Sequence, residues 1–591
     1  MTGQDGNSQR LIAEVYRAKR AGSLEIRGEI PIRPRRRSYM VIPGRVSSLQ
    51  GRVCLCLLSL CSFLLFCFAS QANELVNLKL HNEVCAFVKR LTARNLIEKR
   101  LDTTQPLPRR EIAEALIEAS EKHQSGQIEL TDIEEKHLKY YQWLFGDEIE
   151  ALRPSFLSLA KKRHGITLEG EEYKIDFDFK AKQEGASVNT SLGENRNTAI
   201  TSTDVILLAQ LGSHLGTSST LSTHVLLGST AYNPYETELI GGVHEEVKGI
   251  LSTEGYIILN SPWMSLQWGF DGSWWGPGWH GALMLSDNSA PKDNLKLFGS
   301  YGPVKFSYFT AILRERTSEY HPKYMSAHRL EILPYPGIDI GFSEVMVFAD
   351  RYELRYLNPF MPFQVLQTED LKNNALLGAY YDITLLPSIE FYGEVMVDDF
   401  QVPGMAGVGL LDGFRVWNSK YGILAGGYWV DPLGLSDTDV RMEYAFVNQY
   451  AYTHKYDITR YTHQGFVIGH WMGTDADDLW FDIKHWLTDK LRISLTYERE
   501  RQGEGDVQKN HPLELPPGQP KPEDAEPPKY WEFLSGITES IHSFSLGLSY
   551  ASIGRYSLDT QYTYSRIENA GNELGIDGKE HQLIMKADYR F

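Results

Sequence analysis

Cysteine is scarce in this sequence, with 5 in 591 residues. Four of them (Cys54, Cys56, Cys61 and Cys67) fall in a single apolar run, Val53 to Phe68. Long hydrophobic stretches are scarcer still. This run alone approaches a membrane-spanning helix, and it is shorter than the roughly 20 residues such a helix needs. A polytopic helical membrane protein is therefore excluded. Arg45 and Arg52 precede the run, and Ser70-Gln71-Ala72 follows it. A basic flank, an apolar core and small residues at Ser70 and Ala72 describe a secretory signal cleaved after Ala72, with Met40 as an alternative start. Residues 1–72 are set aside from the fold on that reading. Cys85 is then the only cysteine of the mature chain, which excludes an intramolecular disulfide. Leu65-Phe66 stand before Cys67 where small residues would favour lipidation, so no lipid anchor is expected there.

Basic charge is also in deficit, with 59 Lys and Arg against 76 Asp and Glu. Residues 1–52 take 11 of the basic and 4 of the acidic side chains, which leaves the mature chain with 48 and 72, a net −24. Such an acidic protein is not a nucleic-acid binder. Catalytic motifs are missing too. There is no Gly-x-Ser-x-Gly elbow, and His244-Glu245-Glu246 lacks the second His of a zinc-protease helix. Gly407-Val408-Gly409 lies in a strand-rich stretch with no helix after it. No enzyme, cofactor or resident metal is expected. Asp475, Asp477 and Asp478 have the oxygen chemistry for Ca²⁺, but they read first as the solvated acidic tip of a loop.

What the chain has in abundance is aromatics, 12% of all residues, together with 50 Gly. That mix suits strands and turns. Two regions follow the signal. Residues 73–168 read as a helical bundle. Leu75, Leu78, Val84, Phe87, Val88, Leu91 and Leu96 recur near helical spacing. Pro106-Leu107-Pro108 breaks the pattern and Arg109 opens a second helix with Ile112, Leu116 and Ile117 on one face. Thr131 as N-cap and Glu134 as its capping-box partner open a third, predicted to run to Leu152. Cys85 lies beside the apolar positions and reads as a buried structural thiol.

Residues 169–591 change to a period of 2. Tyr173, Ile175, Phe177 and Phe179 alternate with Lys174, Asp176, Asp178 and Lys180, and similar runs recur at 491–498, 543–550 and 582–591. Some 18–20 such segments of about ten residues match the length a tilted strand needs to cross a bilayer. A soluble β-sandwich or propeller would also alternate. A signal without a helical anchor, aromatics at strand ends and a terminal aromatic, Phe591, favour an outer-membrane barrel that the barrel-assembly machinery inserts as a monomer into outer-membrane lipid. Counting back from Phe591, connections alternate between long and short. Loops at 568–579, 502–540 and 473–478 fall on the outer side, and turns at 552–554 and 488–490 on the periplasmic side. Residues 449–462 do not fit this alternation cleanly. Segment 502–540, with seven prolines, cannot join a sheet and reads as a solvated exterior loop.

The densest segment is Trp274-Trp275-Gly276-Pro277-Gly278-Trp279-His280, followed by Leu285-Ser286-Asp287-Asn288-Ser289-Ala290-Pro291. It resembles the Trp-Gly-Pro-Gly and Leu-Ser-x-Asn-x-x-Pro motifs of the Wzi family of capsule-assembly outer-membrane proteins. The order of parts across residues 74–591 resembles that family as well. The resemblance implies an 18-stranded barrel closed by a periplasmic helical bundle, and a lectin-like, non-catalytic role in holding capsular or exopolysaccharide. Read from the residues themselves, Trp274, Trp275 and Trp279 offer indole faces for sugar C–H groups. Equally, Gly276-Pro277-Gly278 makes a tight turn whose tryptophans pack as scaffold, with His280 a hydrogen-bonded structural residue. Two other functions stay open: a porin-like diffusion channel lined by Lys174, Asp176, Arg492, Glu498, Lys586, Asp588 and Arg590, and an outer-membrane hydrolase. Some 90 residues of helix before the first strand are superfluous to a free-diffusion porin.

Overall fold

A computed structural model describes residues 76–154 and most of 165–590, apart from 171–172, 194, 213, 229–241, 245–246, 262, 316–320, 368–371, 400–419, 509–532 and 553–555. The signal region, Phe591 and most of the proline-rich segment lie outside the described residues.

Four helices come first: α1 (Glu83–Ala93), α2 (Arg109–Gln124), α3 (Asp132–Leu144) and α4 (Gly146–Leu152). Asn82 caps α1 through its side chain, and the Thr131–Glu134 capping box forms as its spacing predicts. The helix expected to continue to Leu152 instead breaks at Phe145, next to Gly146. Glycine is a weak helix former, and Phe145 is recruited into the bundle core. That core joins Val84, Leu91, Ile112, Leu116, Leu138 and Ile149, one stripe from each helix. Cys85 packs against it, and burial pushes its thiol up to about 12.

Eighteen antiparallel strands then close on themselves. They are β1 (Tyr173–Thr190), β2 (Arg196–Leu211), β3 (Leu215–Gly228), β4 (Val247–Asn260), β5 (Met264–Asp271) and β6 (Lys292–Tyr301). Next are β7 (Val304–Leu313), β8 (Lys323–Tyr335), β9 (Ile338–Ala349), β10 (Asn374–Leu386), β11 (Ile389–Asp399) and β12 (Lys420–Val430). The last six are β13 (Thr438–Val447), β14 (Ala476–Trp486), β15 (Leu491–Gln502), β16 (Glu539–Ser552), β17 (Tyr556–Glu568) and β18 (Gly578–Arg590). The ring shuts where β18 pairs with β1, Glu580 opposite Thr190 and Arg590 opposite Lys180. Closure leaves no unpaired edge, a requirement in lipid.

The wall is inside-out by the standards of a soluble protein. On β11, Phe391 and Val395 point outward and are exposed, while Glu390 and Glu394 point inward and are buried. On β8, Leu330 is exposed, while Arg329 and Glu331 are fully buried. An apolar exterior over a charged interior is the pattern of a barrel whose solvent is lipid.

Connections sort largely by end, the short β1–β2 link at 190–196 being an exception on the long-connection side. The turns at 211–215, 260–264, 301–304, 335–338, 386–389, 430–438, 486–491 and 552–556 are short and share one end. The connections at 271–292, 349–374, 399–420, 447–476 and 502–539 are long and share the other. Residues 449–462 fall inside the single long connection 447–476, which resolves their poor fit to a two-end alternation. The loop expected at 473–478 is corrected: Ala476 already opens β14, so Asp477 and Asp478 are wall residues.

The helices dock on the short-turn end through buried charge. Arg90 donates to Glu134 (2.8 Å), Asp431 (2.6 Å) and Asp439 (2.9 Å). Lys99 reaches Asp382 (2.5 Å), and Lys89 reaches Glu390 (3.1 Å). Buried ions of this kind persist because each has its partner.

Candidate functional site

The β5–β6 connection does not leave the barrel. It turns inward, and its residues Trp275, Leu283, Met284 and Leu285 join wall residues such as Phe309, Met325 and Val347 in the largest apolar core. Gly276, at φ 156, begins the turn where a Cβ would press on Ala282 and the Glu394 carboxylate at 3.0 Å. Two wall carboxylates grip the segment by its main chain. Glu394 accepts from the N–H groups of Leu283 (2.7 Å) and Met284 (3.3 Å). Glu443 accepts from Trp279 (2.6 Å), His280 (3.1 Å) and Gly281 (3.1 Å), and from the Tyr392 hydroxyl (2.9 Å).

A second inward loop, 448–475, holds the same segment from the other side. The hydroxyls of Tyr452 and Tyr461 donate to the carbonyls of Leu283 (2.7 Å) and Met284 (2.5 Å). Ser286 Oγ donates to the Gly469 carbonyl (2.5 Å), and Asn288 Nδ2 to the Val467 carbonyl (2.9 Å). The Leu-Ser-x-Asn spacing thus places two polar side chains on one strip of backbone. From below, Thr104–Gln105 of the helical region pairs with Trp275–Trp274 as a two-residue sheet. Thr103 and Thr104 are themselves held by Glu331 on β8 (2.9 and 2.7 Å).

The three tryptophans occupy different surroundings. Trp274 is buried, its Nε1 bonded to the Gly276 carbonyl (3.1 Å) and its ring met by the edge of His81. Trp275 is buried against Phe309. Trp279 is only partly buried. The Arg441 guanidinium lies 3.8 Å over its ring and 3.9 Å over Tyr428. Trp279 also borders a cavity of about 430 Å³ between the helices and the wall, which Tyr140, Trp486, Lys180, Arg492 and Arg590 line as well.

His280 stacks flat on Trp480 (5.0 Å between centroids, 5° between planes) and bonds Glu498 through Nε2 (3.1 Å). Burial opposes its charge, but Glu498, Asp478 and Glu443 outweigh that and hold the imidazole above its ordinary value. The acidic trio read as a solvated tip is corrected: Asp475, Asp477 and Asp478 are all buried. Asp475 caps backbone at Gly505 and Ser535, Asp477 pairs with Arg501, and Asp478 faces His280. The pleat divides the neighbours Asp477 and Asp478 between the two faces of the wall. Glu394, Glu443, Tyr452 and Tyr461 are the site residues that sequence reasoning misses. Each stands alone in its stretch, with no local spacing to mark it.

Among the described residues, Ser–His contacts occur in the wall at His224 and at His542, where Ser540 Oγ meets Nε2 (3.4 Å). His224 Nδ1 meets Ser202 Oγ (2.8 Å), and its Nε2 meets Ser252 Oγ (3.3 Å). Each nitrogen of the His224 ring thus meets a hydroxyl.

The family model described as "Capsule assembly protein Wzi" matches residues 218–581. The chain belongs to the Wzi family. Among solved structures it is similar to Wzi of Escherichia coli, described as an outer-membrane carbohydrate-binding β-barrel involved in group 1 capsule assembly. The identity is 16% and the TM-score 0.51, over 87% of this chain and 99% of that one. More distant matches are OccAB1 of Acinetobacter baumannii (7% identity, TM-score 0.42, 71% of this chain and 97% of that one) and OprD of Pseudomonas aeruginosa (12%, 0.38, 70% and 95%). No curated protein sequence matches. This chain is an 18-stranded barrel with helices before its first strand, and it is an outer-membrane protein.

Proposed function

We propose that this Wzi-family chain is a non-catalytic, lectin-like protein that holds capsular or exopolysaccharide at the cell surface. It works as a monomer in outer-membrane lipid, with the long loops outside and the helical bundle in the periplasm, following the segregation of short and long connections in bacterial barrels. The observation that carries this reading is the filled lumen. Loop 272–291 is fixed by Glu394, Glu443, Tyr452 and Tyr461 and joined to the helical region through Thr104–Gln105. A diffusion channel gains nothing from such an obstruction, whereas a binding protein gains a rigid floor beneath its loops. Of the three tryptophans, Trp279 is the proposed sugar contact, because it alone is not fully buried; the cavity it borders lies on the helix side of the loop, so a sugar chain would meet it from that side. Trp274 and Trp275 hold the turn.

The test uses the purified full-length barrel on a glycan array and in planar bilayers. Retention of polysaccharide without steady conductance supports the reading. Large steady channels without glycan retention would make the chain a porin, and release of shortened glycan or lipid products would make it a hydrolase.

A further inference from the structure

Three metal-ligating side chains converge where the inward loop meets the wall. His280 comes from the loop, Asp478 from β14 and Glu498 from β15. In the β14–β15 ladder Trp480 stands opposite Glu498, and Asp478 opposite Glu500. Asp478 and Glu498 are therefore diagonal neighbours on one face, two residues from the tryptophan that carries the His280 ring. His280 Nε2 lies 3.1 Å from Glu498 Oε1 and 3.7 Å from Asp478 Oδ2, and one ligand atom from each of the three lies within 4.8 Å of the others. Ligands held at about 2.0–2.2 Å by a tetrahedral ion stand roughly 3.4 Å apart, so this spacing brackets what a divalent ion requires.

Arg499 and Arg501 of β15 point to the opposite face and serve Asp477 (3.7 and 2.5 Å). Asp478 is 3% exposed, and its Oδ1 is buried with no hydrogen-bond partner. An orphaned oxygen on a buried carboxylate, beside two further carboxylates and one imidazole, is costly unless a cation completes it. The imidazole is held in place by Trp480 beneath it, by the edge of Trp471 (5.4 Å) and by the Glu443 bond to its backbone N–H. His280 and Glu498 are both partly exposed, which leaves a way in from the lumen.

We infer that His280, Asp478 and Glu498 form a divalent-cation site that pins the inward loop to β14 and β15. One nitrogen and two carboxylates suit Zn²⁺ or a neighbouring first-row ion better than Mg²⁺ or Ca²⁺, which favour all-oxygen shells. The site adds a side-chain tie to β14 and β15 beside the main-chain grip of Glu443 on β13.

The experiment titrates metal-stripped, full-length folded barrel with Zn²⁺ by calorimetry and counts retained zinc after dialysis. One Zn²⁺ per chain is expected. Glu498→Gln, nearly isosteric and partly exposed, keeps the folded barrel and lowers affinity beyond the roughly 10–100-fold that loss of an outer-shell partner causes. Asp478→Asn and His280→Ala do the same. Absence of saturable zinc binding, or a Glu498→Gln protein that binds zinc as tightly as the parent, overturns the site. If Asp478→Asn or His280→Ala fails to fold, the folded Glu498→Gln protein decides alone.

Discussion

Two tryptophans four positions apart do opposite work. Trp275 sits in the largest apolar core against Phe309, and its removal leaves a void that rigid β-strands cannot collapse to fill. Trp275→Ala is expected to cost about 3–5 kcal/mol of stability. The heat-modifiable band of the folded barrel should weaken or shift on gels. Trp279 borders the lumenal cavity, so Trp279→Ala should preserve that band and instead weaken polysaccharide binding by about 1–3 kcal/mol. Equal loss of the folded band in both variants would reduce the whole turn to scaffold. At this scale the sequence is partly legible. The Trp-Gly-Pro-Gly run marks the turn because its residue types are rare together. Which tryptophan faces open space depends on the register of β8, β11 and β13 around it, and a chain read linearly does not contain that. Asp475, Asp477 and Asp478 make the same point: adjacency in sequence suggests one cluster, and the pleat sends them to three separate partners.

Among the elements, the junction of α1 with the wall depends on Arg90. It is buried with three carboxylate partners, so Arg90→Ala takes Asp439's ion-pair partner and leaves Glu134 and Asp431 to Arg94. Removing one partner of a buried ion pair costs about 3–5 kcal/mol. The expected outcome is a barrel that still closes but whose helices are cut by added protease and whose permeability to small solutes rises. The inward loop 448–475 has a different weakness. Burial, with nearby Lys420, holds the His454 imidazole down to about 3, and burial, with nearby Lys292, holds His463 down to about 2. Unfolded histidines take up protons below about 6.5. The stability these neutral rings contribute is complete above that value and is lost as pH falls from about 6.5 towards 3. Protease protection of this loop should therefore decline over that window, and His454→Gln should flatten the decline. Helix positions were readable from capping and apolar spacing. The docking was not, because Asp431, Asp439 and Asp382 reach Arg90 and Lys99 only across the closed sheet.

For the molecule as a whole, the sorting of connections assigns an outside and an inside. A tag placed near Pro520, in the proline-rich segment between β15 and β16, should be reached by antibody on intact cells, and a tag between Thr488 and Lys490 only after the outer membrane is permeabilised. The reverse labelling would invert the barrel. Strand number and closure were close to legible, because alternation repeats some eighteen times and each repeat has bilayer length. The content of the lumen was not, since an aromatic, glycine-containing turn such as Trp274–Trp279 reads equally as a girdle turn and as one that folds inward.

The two-residue sheet between Thr104–Gln105 and Trp274–Trp275 has a consequence for biogenesis. The ribosome finishes the helical region long before it makes the partner strand, which lies between β5 and β6. The ring seals last of all, when the final strand meets the first. The bundle must therefore wait, folded or held by a chaperone, until mid-chain residues exist to receive its linker. It then threads that linker through the short-turn mouth or slips it in before the seam zips. With the seam closed, bundle and loop part only if the linker is drawn back through that mouth, which breaks the pairing of Thr104–Gln105 with Trp275–Trp274.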